Sequence, residues 1–209
     1  MEKQYIVIHG MFHSGTSILK SIIGDHDDVH NVIDETDKLP LINWNRTPKK
    51  NFVVFKTPHI QRESKYPKSY KLITIIRNPF FVYNSLLLRF NRNIPKDVDL
   101  FQEYKKLVGL QRTKIIKYED LFTDGFLNQF FNELNLSWNP EILLKKHSIF
   151  SNKKKKELGK HRAHNILREN QINENFENKN DPNKLILDIQ DVEYIRRYKS
   201  LWQDYYSEI

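Results

Sequence analysis

The stretch Ile6-Val7-Ile8-His9-Gly10-Met11-Phe12-His13-Ser14-Gly15-Thr16-Ser17-Ile18-Leu19 decides how the chain is read. A β-branched run enters a loop bounded by Gly10 and Gly15, and the loop opens into apolar helical sequence. A helix start leaves backbone N–H groups without intrahelical partners and carries about half a positive charge, so a tight loop there aims donors at an anion. The spacing is that of a phosphate-binding loop, with one departure. Where a nucleoside-triphosphate loop places a lysine, this chain has Thr16, followed by Ser17. The amides and both hydroxyls can hold a phosphate, but a triphosphate with magnesium is poorly neutralised without that lysine. A ligand-free strand–turn–helix junction shows the same glycine pattern, so function has to be read from what accompanies the loop.

With 209 residues, 39% of them apolar, the chain has the size and composition of one soluble globular domain. No apolar run approaches the ~20 residues that span a bilayer, and the N-terminus enters a strand without a secretory pattern. A cytoplasmic location is the expectation. The absence of cysteine excludes disulfides, thiolate catalysis and cysteine-based zinc sites. The net charge of +8 and pI near 9.4 favour anionic partners. Much of the excess sits in Lys153–Lys156, Lys160 and Arg162, within a polar stretch that reads as a solvated loop. The Asn- and Lys-rich segment Glu169 to Lys184 reads as an irregular connection.

Short β-rich runs at Tyr5–His9, Phe52–Phe55, Lys71–Ile76 and Thr113–Lys117 alternate with helical patterns, the order of an α/β protein with a central parallel sheet flanked by helices. The first three runs are nearly continuous in apolar residues, as strands covered on both faces should be. Asn78-Pro79 forms an N-cap with proline at the first helical position. Aromatic residues from Phe122 to Leu136 are placed to pack, and Val192 to about Tyr206 predicts one amphipathic terminal helix.

A second anion site is written after the third run. Arg77 follows Ile76, Pro79 comes two residues later, Ser85 stands eight residues after Arg77, and Arg89 follows one helical turn on. An arginine at a strand's carboxyl end lies on the ligand side of an open α/β sheet, and residues i and i+4 share a helix face. Guanidinium forks and a hydroxyl suit phosphate oxygens.

Taken together, these elements resemble the sulfotransferases that use 3′-phosphoadenosine-5′-phosphosulfate (PAPS), which have a P-loop-like α/β fold. That family's [KR]SGT[ST] loop is matched by His13-Ser14-Gly15-Thr16-Ser17, and its strand–RxP–helix unit with a later serine by Arg77, Pro79 and Ser85. The resemblance implies that the first element binds the 5′-phosphosulfate and the second the 3′-phosphate, beside which Arg89 stands by its place on the helix face of Ser85. Tyr118-Glu119-Asp120-Leu121 is similar to a further family element that places its tyrosine near the nucleotide. The pattern is closest to tyrosylprotein and related Golgi-type enzymes, through His26-Asp-Asp-Val29, Asp34-Glu35-Thr36 and Pro40. By that resemblance Glu35 is the catalytic base, and Lys56 in Phe55-Lys-Thr-Pro58 stabilises the departing group. The similarity spans roughly residues 5 to 121.

His13 stands where the family has lysine or arginine, and is read either as a cation beside the sulfonate or as a neutral hydrogen-bond donor. His59 competes with Glu35 as the base, because cytosolic sulfotransferases carry Lys-Thr-His at a comparable strand end; here Pro58 displaces the histidine, and Glu35 is preferred. The resemblance implies transfer of a sulfuryl group from PAPS to an acceptor hydroxyl of a carbohydrate, a peptide tyrosine or a small molecule. Adenosine 3′,5′-bisphosphate is released and no metal is needed. The basic loop around Lys153–Lys156 is expected to cover the nucleotide. A P-loop kinase of small molecules and a basic nucleic-acid-binding protein are the competing readings. The missing lysine argues against the first, and the absence of a recognition motif against the second.

Overall fold

The computed structural model describes residues 3–32, 50–57, 59–96, 98–144 and 178–207. Five strands, β1 (Gln4–Gly10), β2 (Val29–Asn31), β3 (Phe52–Lys56), β4 (Lys71–Ile76) and β5 (Lys114–Lys117), form one sheet in the order β2-β3-β1-β4-β5, and every pairing is parallel. The apolar runs of β1, β3 and β4 occupy the three central places and are buried on both faces, as their composition predicts. The edge strand β2 is not legible in local sequence; its short Val29-His30-Asn31 run carries no strand pattern and is held by register against Phe52–Val54.

Helices cover both faces. On one face α1 (Thr16–Gly24) and α4 (Phe126–Glu133) pack Leu19, Ile22, Ile23, Phe130 and Phe131 against Ile6, Ile8, Val54, Ile73 and Ile75. On the other, α2 (Pro79–Phe90), α3 (Leu100–Leu107) and α5 (Ile189–Arg196) share a cluster built around Ile76, Phe80, Leu86, Tyr104, Ile195 and Trp202. Asn78 caps α2 by accepting from the Phe80 amide at 3.1 Å, and Pro79 takes the first turn where its missing N–H costs nothing.

The single terminal helix expected over Val192–Tyr206 is broken. α5 ends at Arg196 and a short 3₁₀ turn, Lys199–Leu201, follows. The break lets Trp202 fold back, fully buried, and donate its indole N–H to the Ile195 carbonyl at 3.2 Å, which satisfies a helix-end acceptor that continuation would otherwise have used. No helix among the described residues is long and apolar enough to cross a membrane.

The strand order places a topological switch at β1. The chain leaves β1 through α1 toward β2 and β3, whereas β4 lies on the opposite side of β1 and continues through α2. In open α/β sheets the crevice for a ligand lies outside the carboxyl ends of the strands at such a point. Gly10, Lys56, Arg77 and Tyr118 all stand at, or one residue beyond, those ends.

Candidate functional site

The loop after β1 is shaped by close backbone approach. A Cβ on Gly10 would lie 2.4 Å from the Ile75 carbonyl oxygen and 2.7 Å from Ser14 Oγ, so the first turn of the loop has room only for hydrogen there. Gly15 has φ of +98°, a left-handed geometry suited to glycine, and its missing side chain would meet the Tyr118 ring at 2.6 Å. Ser14 turns inward and donates to the Met11 carbonyl at 2.8 Å. α1 then starts at Thr16 with no side chain capping it, which leaves the amides of its first turn directed out of the loop.

Lys56 reaches this helix start from the neighbouring strand. Its Nζ lies 2.6 Å from Ser17 Oγ, and the residue is only 3% exposed. The cation absent from the loop sequence is therefore supplied across the sheet from β3. The register that pairs Ile8 with Lys56 sets this position.

From the other side of β1 come Arg77, Ser85 and Arg89, and all of them meet at His13. Arg77 Nη1 donates to the His13 carbonyl at 3.2 Å, His13 Nδ1 lies 2.7 Å from Ser85 Oγ, and Arg89 Nη1 lies 2.9 Å from His13 Nε2. His13 itself has φ of +56°, uncommon for a residue with a side chain. The two anion-binding elements seen in the sequence are thus one contiguous site.

Arg77 is held from behind by residues that its sequence neighbourhood does not reveal. Its guanidinium lies over the Tyr118 ring, 4.5 Å from the centroid. Its Nε donates to Asn180 Oδ1 at 2.7 Å, the Asn180 amide donates to Glu119, and Tyr206 donates its hydroxyl to the same carboxylate at 2.9 Å. The Tyr104 hydroxyl donates to the Arg77 carbonyl at 2.6 Å. Burial pulls the Arg77 pKa down, and Tyr118 and Glu119 oppose that shift; arginine's very high intrinsic value keeps it charged. Burial likewise pushes the Tyr118 and Tyr206 phenols up, the latter also beside Glu119, so both stay neutral.

The fold matches solved structures. A sulfotransferase domain from the curacin biosynthetic pathway superposes with a TM-score of 0.60 at 14% identity, covering 100% of this chain and 99% of that one. A mouse sulfotransferase complexed with PAP superposes with a TM-score of 0.54 at 13% identity, covering 98% of this chain and 86% of its own. Retinol dehydratase in a complex with retinol and PAP gives 0.51 at 14% identity, over 100% of this chain and 84% of that one. The chain has the sulfotransferase fold. No protein-family model matches the sequence, and no curated protein sequence does.

Within the sulfotransferase fold, the structure gathers His13, Ser14, Gly15, Thr16, Ser17, Lys56, Arg77, Ser85, Arg89 and Tyr118 at the carboxyl edge of the sheet. His59 lies beside the loop: its ring meets Phe12 edge-on at 4.9 Å, and its Nδ1 is buried without a hydrogen-bond partner among the described residues. Glu35, Asp34, Thr36, Pro40, Pro58 and the Lys153–Lys156 run lie outside the described residues. His26 proves structural, accepting from the Asp28 amide at 3.0 Å and donating to Ser137 Oγ at 3.1 Å. Among the described residues no group of acidic, histidine or cysteine side chains is arranged to hold a metal.

Sequence reading missed Asn180, Glu119 as a charge partner, and Tyr206. The Asn178–Asn180 segment falls within what reads as an irregular connection, yet the Lys179 amide donates to the Tyr118 hydroxyl at 3.3 Å and Asn180 pins Arg77. The Glu119 carboxylate inside Tyr118-Glu119-Asp120-Leu121 was the one available signal: a buried arginine needs a counter-charge, and this acid directly follows a tyrosine already placed at the site.

Proposed function

We propose that the protein is a PAPS-dependent sulfotransferase, transferring the sulfuryl group to the hydroxyl of an acceptor and releasing adenosine 3′,5′-bisphosphate. The observation that carries this reading is the meeting of Arg77 and Ser85 with the glycine loop at His13, which makes two phosphate-binding elements parts of one site. A nucleotide phosphorylated at both ends of its ribose needs that pairing; ATP needs only the loop, a Walker lysine and magnesium. The PAP complexes among the solved structures of this fold support the same donor.

In the reaction so assigned, the acceptor oxygen forms a bond to sulfur while the bond from sulfur to the bridging oxygen of the 5′-phosphate breaks. The electron pair of that bond stays on the phosphate. The first-turn amides of α1, the Thr16 and Ser17 hydroxyls and Lys56 Nζ take up the negative charge that develops there. Arg77 and Ser85 hold the 3′-phosphate, and Tyr118 forms the wall between the loop and the arginine. The acceptor proton passes to Glu35, the base implied by the sequence resemblance, with His59 as the competing acceptor. Catalysis on this basis is positioning and charge stabilisation without a metal.

Thermal unfolding in the presence of adenosine 3′,5′-bisphosphate, ATP with magnesium, or a mixed-sequence oligonucleotide tests the assignment. A ligand at a hundred times its dissociation constant adds about 2.7 kcal/mol, so the bisphosphate is expected to raise the melting temperature by several degrees and the other two to have little effect. Stabilisation by ATP–magnesium but not by the bisphosphate would instead establish a kinase-like donor site.

A further inference from the structure

We propose that Arg89 is a positioning residue of the donor site. By donating to His13 Nε2 it holds the imidazole as the neutral Nδ1–H tautomer, and this leaves the Ser85 hydroxyl proton for an oxygen of the bound 3′-phosphate. The inference rests on the sulfotransferase reading above for the identity of the phosphate, but not for the tautomer.

The hydrogen-bond chain admits one assignment of protons. A guanidinium has donors and no acceptor, so at 2.9 Å from Arg89 Nη1 the His13 Nε2 must present its lone pair. The proton of the neutral ring is then on Nδ1, and at 2.7 Å it points to Ser85 Oγ, which accepts. A serine hydroxyl has one proton and two lone pairs. Having accepted from His13, it keeps its own proton for an anionic partner, in place of the backbone carbonyl one turn back that helical serines otherwise seek.

This arrangement explains a departure in the sequence. The position of His13 would carry a fixed cation in the family the chain resembles. Here the fixed charge belongs to Arg89, one imidazole further from the loop, and the histidine transmits its orientation instead of supplying a charge. A doubly protonated His13 would lose its acceptor atom and face the cations Arg89 on α2 and Arg77 at the end of β4. Arg77 also holds the His13 carbonyl, so the ring is presented to α2 from a fixed backbone. His13 is thereby the joint between the loop and the 3′-phosphate pocket.

The tautomer is read directly from long-range ¹H–¹⁵N correlation spectra of ¹⁵N-histidine-labelled protein at pH 7.5, with His13→Gln identifying the signal. The expected result is a protonated Nδ1 and an unprotonated Nε2 in the wild type and in Arg89→Lys, which keeps a donor. In Arg89→Ala the signal is expected to move toward the Nε2–H form. Calorimetric titration with adenosine 3′,5′-bisphosphate and with adenosine 5′-phosphate supplies the second readout. Arg89→Ala should lower the preference for the bisphosphate roughly tenfold, as loss of one hydrogen bond to a charged group does, and Arg89→Lys should restore most of it. An Nε2–H or doubly protonated His13 in the wild type would overturn the proposal. An unchanged tautomer and an unchanged preference in folded Arg89→Ala would also overturn it. Failure of the wild-type protein to bind the bisphosphate at all, with the tautomer as expected, would instead count against the sulfotransferase reading and against the part assigned to the Ser85 proton.

Discussion

Lys56 Nζ lies 2.6 Å from Ser17 Oγ, so a buried cation from the end of β3 stands at the first turn of the helix that follows β1. In the proposed reaction this contact would set positive charge where the leaving phosphate develops negative charge, alongside the first-turn amides of α1. Replacing Lys56 by Met, which keeps the length of the side chain, should lower turnover of PAPS by about a hundredfold or more, while binding of the bisphosphate weakens less. Comparison of single-turnover rates with equilibrium titration separates the two effects, and equal losses in both would show that Lys56 serves binding alone.

Arg77→Ala should weaken adenosine 3′,5′-bisphosphate by roughly ten- to a hundredfold and adenosine 5′-phosphate only slightly, because the proposed function assigns the guanidinium to the 3′-phosphate. The same change leaves Asn180 Oδ1 without its donor and the buried side of Glu119 without a nearby guanidinium, so the melting temperature should fall as well. Lysine is not expected to rescue, since it cannot reproduce a fork that touches Asn180 and the His13 carbonyl together. Equal loss for both nucleotides would remove Arg77 from the 3′-phosphate.

Gly15→Ala and Gly125→Ala make an informative pair. Both glycines have positive φ, +98° and +77°, but a Cβ on Gly15 strikes the Tyr118 ring at 2.6 Å whereas one on Gly125 meets nothing within 4 Å. Each should pay about 1 kcal/mol for the backbone conformation. Only Gly15→Ala should also displace Tyr118 and reduce bisphosphate binding, as measured by denaturant unfolding and titration.

His9 gives the fold a defined acid sensitivity. It lies fully buried on β1, accepts from the Gln61 amide at Nδ1 (3.1 Å) and donates through Nε2 to Thr74 Oγ1 (2.8 Å), and burial lowers its pKa from 6.5 to about 4. The unfolded chain binds a proton on this ring below pH 6.5 and the folded chain refuses it until about 4. Stability from this group is therefore complete above pH 6.5 and is lost progressively as the pH falls toward 4, a total of about 3 kcal/mol. Denaturant titrations over that range should show a shallower pH slope for His9→Gln than for the wild type; identical slopes would refute the assignment.

Glu35→Gln should reduce turnover by about 10²–10⁴-fold with bisphosphate binding nearly intact, the signature of a lost general base. His59→Gln is the comparison. If His59→Gln carries the loss and Glu35→Gln does not, the base is the histidine whose ring packs on Phe12.

Much of the architecture is legible in local sequence. The apolar runs at Tyr5, Phe52 and Lys71 become the centre of the sheet because strands buried on both faces need side chains that can be dry on both sides. Asn78-Pro79 starts α2 for reasons confined to its own turn. By contrast, β2 is a strand only because Phe52–Val54 offers it a partner, and the end of α5 depends on where Trp202 finds an acceptor. The first cause lies far along the chain from its effect, and the second lies past the end of the helix that it stops.

The same division runs through the site. The amino-acid order alone determined the loop between Gly10 and Gly15, the helix start that follows it and the Arg77–Ser85–Arg89 spacing, because backbone geometry and helix periodicity act over a turn or two of chain. Only the tertiary structure brought the Nζ of Lys56 to Ser17, set Asn180 and Glu119 behind Arg77, and placed His13 between Ser85 and Arg89. Those relations join atoms 39 to 103 residues apart. A side chain's charge, proton and partner are set by what packs against it in space, and strand order fixes that packing where chain order does not.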